Sequence, residues 1–151
     1  MKKRFYYILA FIIASSFAAC DSYLINGDLD GMWQLQTIEQ QEPKVTIKNQ
    51  GNLFYSFQRH SVLIGDYDKS QKLVGHVNFE EQYTCLFEYA GDSITMGEFH
   101  YYYVDQDKLA PVANLKKFGL YEKETTFYIE ELTPNRLVLR SDSAVLTMRK
   151  Y

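Results

Sequence analysis

Histidine is the side chain to examine first for metal chemistry in this 151-residue chain, and there are three of them. The histidines are His60, His76 and His100. No two of them are two or four residues apart, the spacings that put two ligands on one face of a strand or a helix. We therefore expect neither a metal site nor a cofactor.

Two pairs of neighbouring carboxylates, Glu80-Glu81 and Glu130-Glu131, could be taken for acid/base pairs. Carboxylates that cleave a glycosidic bond must flank that bond together. Neighbours in a strand point to opposite faces, so neither pair can do this. We expect solvated carboxylates or carboxylates at the rim of the fold.

The chain has two cysteines, Cys20 and Cys85. Cys85 lies in an alternating stretch, 83–89, where it shares a face with Tyr83 and Phe87. Burial among rings raises the pKa of a thiol and keeps it unreactive. The sequence contains no Gly-x-Ser-x-Gly elbow and no phosphate-binding loop. We therefore predict that the protein is not an enzyme.

The first nineteen residues have the order of a secretory leader. A basic cluster at 2–4 precedes an uncharged apolar run at 5–17, and Ala18-Ala19 follows. The apolar run is shorter than the roughly 20 residues that a membrane-spanning helix needs. Residues 1–19 are therefore predicted to be a signal peptide that is cut away.

The stretch Phe17-Ala18-Ala19-Cys20 resembles the lipobox of bacterial lipoproteins, although Phe17 stands where Leu is usual. In that family the cysteine carries diacylglycerol, cleavage occurs just before it, and the new amino end is acylated with chains such as palmitate. The resemblance implies that Cys20 anchors the chain to a lipid bilayer of the cell envelope. We expect the outer membrane, with the periplasmic or the surface side left open. Ordinary cleavage near Ala19, which would leave a free secreted chain, is the alternative.

Loss of the leader would change the formal net charge from −3 to −6, because the three basic residues at 2–4 go with it. A moderately acidic protein is a poor partner for nucleic acid, and we expect none. An acylated Cys20 would leave Cys85 without an internal disulfide partner. Stability must then come from the hydrophobic core alone.

Beyond a polar spacer at 20–30, the dominant hydrophobic period is two, which predicts strands. One short helix is predicted at 112–121, and a bulge at Gly97 would reconcile two phases of alternation. The sequence thus predicts a single antiparallel all-β domain over 31–151, either a barrel or a sandwich. The predicted strands are 33–38, 53–57, 62–65, 72–79, 83–89, 94–103, 125–132, 136–141 and 144–151.

Three features together resemble the lipocalin-like lipoproteins of Gram-negative envelopes, most of which have no assigned activity. They are the lipobox, Gly31-Met32-Trp33 at the first strand, and the terminal hairpin 129–151. The resemblance covers residues 30–151 and implies an antiparallel β-barrel of about eight strands. It also implies that Trp33 fills the closed end of that barrel. Arg149, or less favourably Arg140, would pack over the indole.

The chain is rich in aromatic residues, with 13 Tyr and 10 Phe, and 99–104 is the densest patch. Tyrosine suits both core packing and half-wet recognition surfaces. Our first hypothesis is a non-enzymatic binding module with a small apolar or glycan-like ligand in the barrel mouth. A cavity of about 300 Å³ or more would favour it. The ligand-binding residues would be Phe57, Phe87, Tyr101 and Tyr103.

The second hypothesis is a structural or interaction lipoprotein whose barrel is filled by its own rings. Its partner would be another protein of the envelope. It predicts a solid interior and an exposed apolar patch.

Overall fold

The computed structural model describes residues 25–49, 52–67 and 81–151. No helix within these ranges is long and apolar enough to cross a bilayer. A 3-10 turn at Gly27–Leu29 precedes the first strand, and helix α1, Val112–Leu115, continues into a 3-10 turn at Lys116–Phe118. The strands are β1 Gly31–Gln40, β2 Val45–Lys48, β3 Leu53–Gln58, β4 Ser61–Asp66, β5 Gln82–Tyr89, β6 Ser93–Met96, β7 His100–Tyr101, β8 Thr125–Leu132, β9 Arg136–Arg140 and β10 Ala144–Lys150.

Eight of the strands close into an antiparallel barrel. Their order is β10-β9-β8-β6-β5-β4-β3-β1, and pairing of β1 with β10 closes the ring. That last pairing runs from Trp33 opposite Lys150 to Gln40 opposite Ala144. Closure pairs the sheet edges that would otherwise invite aggregation. The predicted barrel of about eight strands with one short helix is confirmed.

Two strands lie outside this ring. The first half of β1 pairs with β3 and its second half pairs with β2, a short exposed strand that alternation did not predict. The strand predicted at 94–103 is split into β6 and β7, which both pair with β5. The break includes Gly97, and the buried side chains change phase there from Met96 to Phe99.

One predicted element is shorter than expected, and three predictions concern residues outside the described ranges. The helix predicted at 112–121 ends earlier, because Gly119 adopts the left-handed region at φ 85°. The predicted signal peptide, Cys20 and the strand predicted at 72–79 lie outside the described residues.

Neighbouring strands of the barrel run in opposite directions, so their turns lie at two ends. The closed end holds the start of β1, the end of β10 and the turns at 59–60, 90–92 and 133–135. The plug end holds the end of β4, the start of β5 and the connections that follow β7 and β9. The helix α1 and the 3-10 turn after it belong to the plug end.

The protein's own rings fill the barrel interior. Centroids are 5.4 Å apart for Phe87 and Phe57, 6.1 Å for Phe57 and Tyr55, and 6.4 Å for Tyr55 and Phe118. A further contact of 6.2 Å joins Phe118 to Tyr83. All five side chains are buried. This series of rings extends from the closed end to the plug end.

Candidate functional site

Trp33, which the resemblance assigned to barrel closure, lies near the start of β1 at the closed end. Its side chain is fully buried, and Nε1 donates a hydrogen bond of 2.7 Å to the backbone oxygen of Leu29. The ammonium of Lys150 lies 4.3 Å from the centroid of the indole. A cation over an indole is stabilising by about 0.5–2 kcal/mol, depending on how far the cation is desolvated, and Lys150 is half-buried. This end of the barrel is therefore sealed by the chain's own side chains.

The cation over Trp33 is Lys150, which corrects the expectation of Arg149 or Arg140. The register places Lys150 opposite Trp33 and Arg149 opposite Gln34, and directly opposed residues share a face. Arg149 therefore points to the outer wall, where its Nε donates a hydrogen bond of 2.8 Å to Gln34 Oε1. Arg140 also lies on the outer wall, in an exposed ion pair. The wrong prediction came from the arginine that the resemblance implied, since alternation within β10 puts Lys150 on the face of the buried Leu146 and Met148 and Arg149 on the opposite face.

Gly31 makes room for this lysine. Its φ is 121°, and a Cβ atom at this position would lie 2.9 Å from Lys150 Cε. Lys150 Nζ donates hydrogen bonds to the backbone oxygens of Asp28 at 2.8 Å and Asp30 at 2.5 Å. Burial lowers the pKa of Lys150, while the charges of Asp28 and Asp30 oppose that shift. The predicted roles of Gly31 and Trp33 in closing the barrel fit this geometry.

A separate segment, 112–120, covers the plug end. It buries Leu115, Phe118 and Leu120. The Tyr55 hydroxyl donates a hydrogen bond of 2.6 Å to the backbone oxygen of Phe118, and burial raises the pKa of Tyr55 well above its usual value. Gly119 follows at φ 85°, where a Cβ atom would overlap Leu146. We call residues 112–120 the plug.

An open cavity of about 590 Å³ lies beside the plug, next to the ends of β5 and β7. We call it the cleft. It is bounded on one side by α1 and on the other by the loop that follows β7. The aromatic and polar side chains that line it include Tyr83, Tyr101, Asn114, Glu81, Lys108 and Lys117.

Two tyrosine rings form the aromatic part of the cleft. The centroids of Tyr83 and Tyr101 are 5.2 Å apart with an interplanar angle of 60°. Asn114 Nδ2 donates a hydrogen bond of 3.3 Å to the Tyr101 hydroxyl, and Lys108 Nζ lies 5.3 Å from the Tyr101 centroid. Burial raises the pKa of Tyr83, although a hydrogen bond with Asn114 opposes the shift. Tyr83 therefore keeps its phenolic proton at neutral pH and can donate it in a hydrogen bond.

Lys117 joins the plug to the barrel wall. Its Nζ lies 2.7 Å from Glu81 Oε2 and 3.0 Å from Asp66 Oδ2. Asn52 Nδ2 donates a hydrogen bond of 2.5 Å to the other Asp66 oxygen. Burial lowers the pKa of Lys117, but the hydrogen bonds with Glu81 and Asp66 outweigh it, so the net shift is upward. Glu81 is thus one of the rim carboxylates that the sequence predicted.

The four residues predicted to bind a ligand lie in different environments. Tyr101 lines the cleft. Phe57 and Phe87 lie in the sealed interior toward the closed end, so their predicted place in a barrel mouth was wrong. Tyr103 is 53% exposed and packs edge-on against Tyr102, with centroids 4.5 Å apart. It does not share a strand face with Tyr101, because β7 ends at Tyr101.

Cys85 is buried, as its position on an aromatic face predicted. Burial raises its pKa to about 12, against an opposing hydrogen bond from the backbone of Gly97. The thiol is therefore a packing group at neutral pH. Within the described ranges, no cluster of three or more His, Cys, Asp and Glu side chains could hold a metal ion.

Sequence reasoning missed most of the cleft. Asn114 and Lys117 belong to a segment that was predicted only as a brief helix. The apolar pair Leu115 and Phe118, three residues apart, was the available signal that this helix has a buried face. What the helix buries against depends on tertiary structure, so the cleft beside it had no local signature.

Comparison with known proteins agrees with this architecture. The profile of the lipocalin-like domain family matches residues 15–151. A crystal structure of a lipocalin-like protein from Bacteroides uniformis ATCC 8492 has a TM-score of 0.58 and 24% identity, covering 83% of this chain and 100% of that one. An uncharacterized protein from Bacteroides eggerthii DSM 20697 has a TM-score of 0.57 and 22% identity, with coverage of 81% and 98%. No curated protein matches. The chain therefore belongs to the lipocalin-like domain family.

Proposed function

We propose that this protein is a lipid-anchored lipoprotein of the bacterial envelope that binds a small glycan-like ligand in the cleft without transforming it. The observation that carries the proposal is the chemistry around the Tyr83–Tyr101 pair. The half-buried Tyr101 ring, which packs on the buried Tyr83, offers an apolar face to a sugar ring. The nearby Asn114 amide, Glu81 carboxylate and Lys108 ammonium offer hydrogen bonds to its hydroxyls. The cleft also exceeds the roughly 300 Å³ that small-ligand sites require.

The interior of the barrel favours this polar ligand over an apolar one. Phe57, Phe87 and Tyr55 occupy the space in which a classical barrel ligand would sit. An apolar guest there would have to displace buried rings that contact one another, at a cost of several kcal/mol. The cleft, which mixes rings with charges, suits a guest with both apolar faces and hydroxyl groups.

The binding step is tested by screening the protein against an oligosaccharide array and measuring the strongest hit by calorimetry. We expect Tyr101→Ala to weaken that affinity roughly tenfold, which corresponds to about 1.4 kcal/mol. Tyr103→Ala is the matched control, because it removes an exposed tyrosine two residues away that does not line the cleft. Absence of any hit, or equal losses in the two variants, would contradict the proposal.

The anchoring step is supported by the lipobox at Cys20 and is tested separately. We expect the wild-type chain to stay with the membrane fraction through an alkaline wash. The Cys20→Ala variant should carry no acyl chain by mass spectrometry and should be released by the same wash. Retention of this variant would argue against lipidation.

A second candidate function, a structural or interaction lipoprotein, is favoured by one observation. The barrel is filled, and Leu86 on its outer wall is 75% exposed beside an apolar groove of about 350 Å³. In that case Leu86→Ser should abolish chemical cross-linking to an envelope protein in intact cells. Glycan binding by the purified variant would be unaffected, so the two functions are separable.

A further inference from the structure

The chain enters the barrel at the closed end and is fixed there by its first described residues. Asn26 is 9% exposed. Its backbone N–H and Nδ2 donate hydrogen bonds to the Asp30 carboxylate, at 3.0 and 2.7 Å. Nδ2 also donates a hydrogen bond of 2.6 Å to the backbone oxygen of Arg59, in the turn between β3 and β4. Any tether that begins at Cys20 must therefore end at the closed end.

The length of that tether limits how the barrel can lie on a membrane. The peptide units from Cys20 to Asn26 span at most about 20 Å when fully extended. The ten residues of β1 span about 33 Å along the strand, or about 25 Å along a barrel axis to which strands are tilted by 35–45°. An inverted barrel would need a tether longer than the one available.

We infer that the closed end faces the bilayer and that the cleft opens toward the aqueous phase. This inference rests on the proposed acylation of Cys20 and on the proposed binding function of the cleft. It assigns the ligand to water-soluble glycans. Sugar headgroups of lipids in the protein's own membrane are then out of reach.

Exposed side chains at the closed end suit a membrane interface. Tyr151 is 72% exposed, and its backbone N–H is bonded to the Met32 oxygen at 2.9 Å, which fixes it near the start of β1. Ile25, next to the tether, is 58% exposed. Tyrosine rings are enriched at the level of lipid headgroups, and an adjacent aliphatic side chain adds apolar contact there.

Energy transfer to the membrane tests the orientation. A single fluorophore is placed at the closed end through His60→Cys, or at the cleft end through Asp107→Cys. Both positions are exposed, and the buried Cys85 thiol with its pKa of about 12 will not react with the label at neutral pH. The acylated proteins are reconstituted in vesicles of phosphatidylethanolamine and phosphatidylglycerol that carry a headgroup acceptor.

We expect transfer from position 60 to exceed transfer from position 107 about twofold or more, because the two ends differ in height by about 25 Å. A long Gly-Ser insertion after Asp21 should reduce the difference. Equal or reversed transfer with the native tether would overturn the inference. If acylated protein failed to form at all, the proposed anchoring would be wrong, and that outcome is visible as an absence of vesicle-bound protein.

A second measurement tests the ligand class with the soluble oligosaccharide found on the array. It should bind vesicle-anchored protein and released Cys20→Ala protein equally. The same sugar on a lipid should bind anchored protein only when it is presented on separate vesicles. Binding to that glycolipid within the protein's own vesicle would overturn the assignment to soluble glycans, whereas a loss of binding in every format would instead count against the cleft itself.

Discussion

The two ends of this barrel are closed by different kinds of structure. At the closed end Trp33, a residue of β1 itself, is covered by Lys150 of the strand paired with it. At the plug end a separate segment, 112–120, is held by the Tyr55–Phe118 hydrogen bond and by the ion pairs of Lys117. At the closed end the sealing side chains belong to the barrel strands themselves and pack directly on one another. At the plug end the sealing segment is separate from the strands, and the cleft lies between this segment and the barrel wall. Binding sites are commonly found at the less cooperative part of a fold.

Truncation of the central ring at each end should give the largest effects. Trp33→Ala and Phe118→Ala each remove a fully buried aromatic side chain, which destabilises a protein by about 3–5 kcal/mol. Because β1 closes the barrel, we expect Trp33→Ala to lower the unfolding free energy of every strand. Phe118→Ala should mainly free the plug, whose 3-10 turn is not part of the sheet.

Hydrogen exchange, read strand by strand, checks this difference. The expected pattern is uniform loss of protection in Trp33→Ala, and selective loss over residues 112–120 in Phe118→Ala. Leu132→Ala, a half-buried position of β8, serves as a control for ordinary loss of side-chain volume. Uniform loss in both ring variants would mean that the two ends belong to one cooperative unit.

Two glycines sharpen the same comparison. Gly119→Ala would place a methyl group against Leu146 at a positive φ, so we expect a loss of about 1–3 kcal/mol at the plug. Gly31→Ala is also strained by a positive φ of 121°, but its methyl group would meet the flexible end of Lys150, which can move away at the expense of its contact with Trp33. Gly91→Ala is the control, because it has a positive φ of 90° and no atom within 4 Å.

Urea denaturation followed by tryptophan fluorescence measures all three glycine variants. The indole reports directly on the closed end, so its emission should shift in the folded state of Gly31→Ala and stay constant in Gly119→Ala. If Gly119→Ala were no less stable than Gly91→Ala, the close packing of the plug against β10 would be refuted.

Removal of one hydroxyl tests the attachment of the plug alone. Tyr55→Phe deletes the hydrogen bond to Phe118 and leaves that buried backbone oxygen unsatisfied, which should destabilise the plug by about 1–3 kcal/mol. The ring contacts of Tyr55 remain. We expect weaker glycan affinity with an unchanged fluorescence of Trp33. Tyr128→Phe, at an exposed site on β8, should change neither.

The two ends also differ in how far the sequence predicted them. The alternation of apolar and polar residues was enough to predict most strands, since one face of each strand must be buried. The resemblance at Gly31-Met32-Trp33 assigned Trp33 to the closed end. The covering cation was assigned to Arg149 because the resemblance implies an arginine, although alternation along β10 already puts Lys150 on the inner face with Leu146 and Met148. The plug could not be placed, because its partners Tyr55 and Asp66 are more than fifty residues away in sequence.

The smallest expected effects come from the pH dependence of the two lysines, whose pKa values shift in opposite directions from 10.5. Burial lowers the pKa of Lys150, so in the window below 10.5 the unfolded chain holds a proton that the folded chain has lost, and stability rises with pH. Despite burial, the carboxylates raise the pKa of Lys117, so its contribution is complete below 10.5 and is lost as pH rises through the folded value.

Urea unfolding of Lys150→Met and Lys117→Met from about pH 8 to about pH 11 separates the two contributions. In the wild type, Lys150 makes stability rise as the pH approaches 10.5, and this rise should be absent from Lys150→Met. Lys117 makes wild-type stability fall above pH 10.5, and this fall should be absent from Lys117→Met. The raised pKa values of Tyr55 and Cys85 also reduce stability at high pH, but they are common to all three proteins and cancel in the differences. Parallel pH profiles for the two variants would show that the ends do not differ electrostatically, and the contrast would then rest on packing alone.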